Sequence, residues 1–189
     1  MLLPFIGWAI TGAIFFLKPG YGAAYDAVDL RTYPLQTRLS VDPDPAWLEV
    51  RYLKTILGEH LLVRTATGWQ HLDPVTRQPK PAPSTDQTRT LLDDAFAANP
   101  ARYGHVVTAD AATFTTDTGI RGTFSWTRLA LTQRGADTDR IDRIYKIHYL
   151  QWTGIESVDR VLGAVGLACI VLLSVLGMRL FFWRPRGRV

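Results

Sequence analysis

An uninterrupted apolar stretch towards the carboxyl end constrains this chain more than any other feature. From Val161 to Met178, "VLGAVGLACIVLLSVLGM" carries no charge, and after Arg179 the apolar character resumes through "LFFW" to Trp183. The 23 residues of this run would reach about 34 Å as a helix, enough to cross a hydrocarbon core of ~30 Å. The expected membrane helix, with its approach, covers 153–183. Mean hydropathy near zero hides it, because the apolar residues are concentrated at the two ends.

At the other end, Leu2 to Leu17 is uncharged and is closed by Lys18, Pro19 and Gly20. As a helix it would extend only about 24 Å. A signal peptide is the competing reading, but the segment has neither a basic leader nor a small-x-small cleavage site, Phe15-Phe16-Leu17 being too bulky. It therefore reads as a second membrane helix over 2–18.

Charge orients the two segments. Between Pro19 and Leu150 there are 15 Lys/Arg and 15 Asp/Glu, so the net +4 lies outside this middle part. Lys18, Arg160, Arg179, Arg184, Arg186 and Arg188 outweigh Glu156 and Asp159. The basic tail 184–189 is then expected in the cytoplasm, both termini inside, and the neutral middle outside. In a bacterium that means an inner-membrane protein with a periplasmic domain. Basic residues that flank a span do not make a nucleic-acid patch, so no nucleic-acid partner is expected; membrane lipids are. The single cysteine, Cys169, sits in the apolar run and excludes an internal disulfide.

The middle, 19–138, reads as an α+β domain on an antiparallel sheet. "WLEVRYLK", "EHLLVRTA" and "WQHLD" read as strands with turns between them. "RQPKPAPST" carries three prolines and reads as a loop that cannot pair in a sheet. Ser84 or Asp86 should cap a helix with Leu91, Leu92, Ala95 and Phe96 on one stripe, stopped at Asn99-Pro100. Strands follow at "HVVTA" and "TFTTDT", and "GTFSWTRLALTQ" alternates as a further strand. "GEHLLVRTATGW" and "YGHVVTADAATF" run in parallel 45 residues apart, which suggests two half-units.

From "GADTDRIDRIYKIHYLQW" the spacing becomes helical, with Asp139 as the expected cap and an interfacial helix over 139–152. Tyr145, Tyr149 and Trp152 at its end, and Arg179 and Trp183 at the far end of the apolar run, suit the two membrane interfaces. Gly7, Gly12, Gly163, Gly166 and Gly177 would let the two apolar helices pack closely.

"IHYLQWTGIESVDRVLGAVGLACIVLLSVLGMRLFFWRPR" resembles the last helix of PepSY-associated membrane proteins, and "LLVRTATGWQHLDPVTRQP" resembles a PepSY strand pair with its turn. The resemblance implies a periplasmic PepSY-like domain that binds a protein partner as a non-catalytic accessory or regulatory subunit. It also implies two alternatives. One is a haem- or metal-linked electron-transfer component, with His148 as an axial ligand. The other is a peptidase inhibitor. A bis-His haem site needs two ligands on facing elements. The first helix has no histidine, so haem b is expected only if another subunit completes the site. No metal ligand set is expected: His60 and His71 would meet across a hairpin without a third ligand, and Asp137, Asp139 and Asp142 suit a helix start better than a calcium loop. Nor does the chain carry a Gly-x-Ser-x-Gly elbow, a phosphate-binding Gly-Lys-Ser/Thr loop or an HExxH pair, and no catalytic residues are assigned.

Overall fold

The computed structural model describes residues 3–36, 44–110 and 112–183. The expected basic tail 184–189 lies outside the described residues. Among them two compact units emerge, one formed by the described residues between 23 and 138 and the other by those up to 22 together with those from 139 onward.

The first unit is α+β with antiparallel sheets, as the strand patterns imply. Strands β1 (Glu49–Thr55), β2 (Gly58–Thr65) and β3 (Gly68–Leu72) form a meander in the order β1-β2-β3. Its register pairs Val50 with Val63 and Leu62 with His71. The run His60-Leu61-Leu62-Val63 is wholly buried, which places β2 at the centre with both faces covered. The proline-rich segment departs from expectation. Pro79 bridges Leu72, because the amides on either side supply the bonds: Lys80 N–H to His71 O at 2.8 Å and Asp73 N–H to Gln78 O at 2.8 Å. Proline lacks a donor but not an acceptor, so its neighbours carry the pairing.

Helix α3 (Thr85–Phe96) begins at Ser84 with a complete capping box: the Ser84 hydroxyl accepts from Gln87 N–H while the Gln87 side chain accepts from Ser84 N–H. Asp86, the other expected cap, lies in the first turn. After the short α4 (Pro100–Tyr103), β4 (Val106–Ala109), β5 (Thr113–Thr116), β6 (Arg121–Ser125) and β7 (Ala130–Arg134) make a second meander. "GTFSWTRLALTQ" is thus a hairpin and not one strand. The chain turns at 126–129, with Leu129 at φ +47°. Leu91, Leu92, Ala95 and Phe96 of α3 pack on Val106, Ala109, Phe114, Ile120 and Phe124 to make the main core. Phe96 and Tyr103 stack at 4.7 Å between ring centres.

The segment entering this unit, which begins with the short helix α2 (Tyr21–Tyr25), is stitched down by polar contacts. Arg102 donates to the carbonyls of Ala24 at 2.6 Å and Asp26 at 2.9 Å, the Tyr103 hydroxyl donates to Asp26 O at 2.8 Å, and the Gln133 amide brackets both backbone groups of Val28.

The second unit is helical. It contains α1 (Leu3–Leu17), most of α5 (Ala136–His148) and α6 (Glu156–Phe182). With 27 residues and a mean hydropathy of 2.6 over its most apolar stretch, α6 is long and apolar enough to cross a membrane. Among the described residues no other helix is. At 15 residues α1 falls short, reaching about 22 Å. Helix α5 begins three residues before Asp139, so Asp139 lies inside the first turn and is not its cap. The chain leaves α5 through Leu150 at φ +57° and Gly154 at φ +73°, the bend that the glycine suggests.

Candidate functional site

The chemistry of the α+β unit is concentrated on one face of the first meander. His60 precedes Leu62 by two residues and so shares its face, and Leu62 is paired with His71. The two imidazoles therefore meet diagonally across the β2–β3 hairpin, with His60 Nδ1 and His71 Nε2 3.0 Å apart. Both are buried, at 0% and 5% exposure. Beyond His60, its Nε2 lies 2.7 Å from Thr55 Oγ1. Beyond His71, its Nδ1 lies 2.9 Å from the Trp126 carbonyl.

One arrangement of protons satisfies every atom of this chain. A carbonyl only accepts, so His71 carries its proton on Nδ1 and donates it to Trp126 O. His71 Nε2 then accepts from His60 Nδ1–H, and His60 Nε2 accepts from the Thr55 hydroxyl. Thr55 Oγ1 in turn receives the Leu57 N–H at 3.1 Å. Both rings are neutral in this arrangement, and each extra proton would remove an acceptor. Burial pushes His60 down to about 3, with the Lys80 ammonium and the His71 ring adding to the effect. It pushes His71 down to about 4, against the opposing pull of the Trp126 carbonyl. Lys80 is itself lowered by burial, and its ammonium donates to Glu59 O.

The Trp126 indole closes the site, lying 4.2 Å from the His71 ring centre and meeting His60 edge-on at 5.4 Å. Trp126 stands at the first position of the 126–129 turn, where the chain leaves β6. Thr55, Lys80 and Trp126 had no sequence signal as site residues, since they lie 5, 20 and 66 positions from His60 and belong to three different segments. His105, the counterpart of His60 in the apparent repeat, lies exposed before β4 and joins nothing comparable.

In the helical unit, His148 sits at the end of α5 against α1. Its Nδ1 lies 2.8 Å from Thr11 Oγ1, and its carbonyl accepts from the Trp8 indole N–H. The ring meets Phe15 edge-on at 4.9 Å and Tyr149 edge-on at 5.4 Å. Tyr145 stacks on Phe15 at 4.4 Å, and its ring lies parallel to that of Tyr149. Trp152 donates to Ile147 O at 3.1 Å, and Arg179 lies over the Trp183 ring at 5.0 Å. His148 is thus a joint between α1 and α5.

Three of the five glycines face the end of α5 and the segment that follows it. A side chain at Gly12 would meet His148, one at Gly163 the Tyr149 carbonyl, and one at Gly166 the Leu150 side chain; Gly7 and Gly177 have no such neighbour within 4 Å. The contact is close only at Gly166, where a Cβ would come within 2.7 Å of the Leu150 side chain; at Gly12 and Gly163 it would be an ordinary 3.9 Å.

No protein-family model, curated protein or solved structure matches this chain. Among the described residues, no three metal-ligating side chains cluster. Like β4 and β7 of the second sheet, β1 lies at the margin of its sheet. This is an edge strand, bridged only at Lys54 by Tyr33 among the described residues. Val50 on it is 40% exposed, and Leu48 just before it and Ile56 just beyond it are 61% and 47% exposed. A cleft of about 340 Å³ opens beside Lys54, between Tyr33 and Ile56.

Proposed function

We propose that this protein is a membrane-anchored, non-catalytic module of PepSY-like type whose α+β domain binds a protein partner through the open edge of β1. The exposed apolar row on that edge carries the reading. An unpaired strand edge offers backbone donors and acceptors to an extended partner segment, and apolar side chains beside it add affinity. The histidine chain supports a non-catalytic role: its groups are occupied by one another, buried, and held neutral far from the range where a general base works. If the partner held at the edge is a peptidase, the module is an inhibitor.

Helix α6 crosses the membrane in this proposal, with the basic tail inside and the α+β domain outside, and α1 returns to the same membrane. In a Cys169→Ser background, cysteine placed at Thr67, in the exposed turn after β2, should react with a membrane-impermeant maleimide in intact spheroplasts, and Val189→Cys only after lysis. Labelling of both without lysis, or of Thr67→Cys only after it, overturns the arrangement.

For the partner, a photo-crosslinking amino acid at Val50 should yield one discrete adduct in intact cells, and the same group at Val75, 88% exposed on a loop, should not. Leu48→Lys with Ile56→Lys should lower the adduct at least tenfold without changing the amount of protein. Equal adducts at positions 50 and 75, or none, would remove the edge as the binding surface.

A further inference from the structure

The bend between α5 and α6 encloses a cleft of about 560 Å³, contained within the helical unit. Lys146 enters it from α5 and Arg160 from α6, and both are exposed. Gly163 and Ala164, one turn further along α6, line its apolar end, here called its floor. The two acidic residues at its rim differ in what they do. Asp159 is turned into the bend, where it accepts from Thr153 N–H at 2.9 Å, Thr153 Oγ1 at 2.7 Å and Gly154 N–H at 3.2 Å. Glu156 accepts from Arg160 at 2.6 Å, which occupies one of the five guanidinium N–H donors and leaves the others for a second acceptor.

We propose that this cleft binds a membrane phospholipid, with the headgroup phosphate between Lys146 and Arg160 and the glycerol end over Gly163 and Ala164. The inference rests on the reading of α6 as a membrane helix. That reading puts residues 156–160 at headgroup level, and the small residues that follow just below it. A phosphodiester suits the rim, because a point-charge ammonium and a forked guanidinium from separate helices can grip different oxygens of one anion. The floor suits a lipid better than a free phosphate. Gly163 and Ala164 offer no polar side chain and leave space where larger residues would fill the notch. Tyr149 lines the same cleft, at the depth that amphipathic rings prefer.

The test uses the full chain purified in mild detergent and native mass spectrometry, with phosphatidylglycerol as probe. Diacylglycerol with the same acyl chains is the tail-only control, and glycerol phosphate the headgroup-only control. Phosphatidylglycerol should be retained at least tenfold over both. Lys146→Gln with Arg160→Gln should cut that retention about tenfold. Lys146→Gln alone changes one exposed side chain and should cut it several-fold, which keeps the test informative if the double variant folds poorly. Equal retention of diacylglycerol would make the contact one of tails alone; retention of glycerol phosphate would make the ligand a soluble phosphate; unchanged retention in Lys146→Gln would remove the basic pair from the site. Each overturns the proposal. Carbonate extraction of the same membranes separates this failure from that of the anchor. A chain released by carbonate is not membrane-spanning, whereas a chain that stays in the membrane yet shows no phospholipid preference lacks only the cleft's function.

Discussion

Acidification from pH 6.5 to pH 4.5 should destabilise the α+β unit steeply. The histidine pair sets this window. In the unfolded chain both rings take up a proton near pH 6.5, whereas in the fold His60 waits until about 3 and His71 until about 4. Between those limits the unfolded state binds more protons, so stability falls as pH falls, by about 1 kcal/mol per pH unit for each ring. Two units of pH then remove several kcal/mol, a large share of the ~5–15 kcal/mol that holds a typical domain together. The depressed carboxylates behave differently. Glu49, held low by Arg51 and Arg64, and Asp73, held low by the Thr76 amide, keep their contribution until pH falls through the lower carboxylate range. Near-UV circular dichroism melts of the full chain at pH 7.0, 6.0 and 5.0 should show a fall in Tm of several degrees at each step. His60→Leu with His71→Leu should be less stable at pH 7 but nearly flat across the same range. An equal slope in that variant would mean that the pair is not the titrating element. His71→Ala alone removes the acceptor for His60 Nδ1–H and opens a small cavity, at a cost of about 2–4 kcal/mol at neutral pH.

A second large effect is expected at Gly122. It lies within β6, paired with Gln133 of β7 and Phe114 of β5. A Cβ there would come within 1.8 Å of the Thr132 carbonyl oxygen and 2.7 Å of the Phe114 ring. The carbonyl belongs to a neighbouring strand and cannot swing aside as a side chain does. Relief would mean parting β6 from β7 or pushing Phe114 off the strand, and that ring is 1% exposed in the main core. Gly122→Ala should therefore cost at least ~3 kcal/mol, and Gly122→Val should prevent folding of the second sheet. Gly22→Ala, where a Cβ meets nothing within 4 Å, should change stability by less than about 0.5 kcal/mol. Melting temperatures of the three variants compare the sites directly. A Gly122→Ala protein as stable as the parent would show that the strands tolerate a wider separation than this register allows.

Much of the architecture could be read from residue patterns, and the reasons differ from element to element. The first meander announces itself through alternation in Glu49–Thr55 and through the Gly58 and Gly68 turns. Helix α3 does so through Ser84 and Gln87 and its four-residue apolar stripe. The meeting of His60 and His71 follows from hairpin geometry, so it too was visible. The rest of that site was not, because Trp126 arrives from the second sheet and Lys80 from a proline-rich strap, and no local pattern records a long-range contact. The hairpin at 126–129 was hidden because alternation continues through "FSWT" although the strand ends at Ser125. At the membrane end, the long apolar run fixes α6, but the glycines give no indication of which neighbour they accommodate. The neighbour of Gly12, Gly163 and Gly166 is the 148–150 segment, which leads into the bend at Leu150 and Gly154.

The stitching of Ala24, Asp26 and Val28 also bears on how the protein is made. Their partners Arg102, Tyr103 and Gln133 follow 76 to 105 residues later, so a ribosome delivering the chain amino end first releases this stretch long before anything exists to hold it. It must remain loose through several seconds of synthesis at ~5–20 residues per second, and it locks only when β7 has emerged. A nascent chain arrested before Gln133 should therefore be cut by protease around Asp26, while one arrested well beyond it should resist.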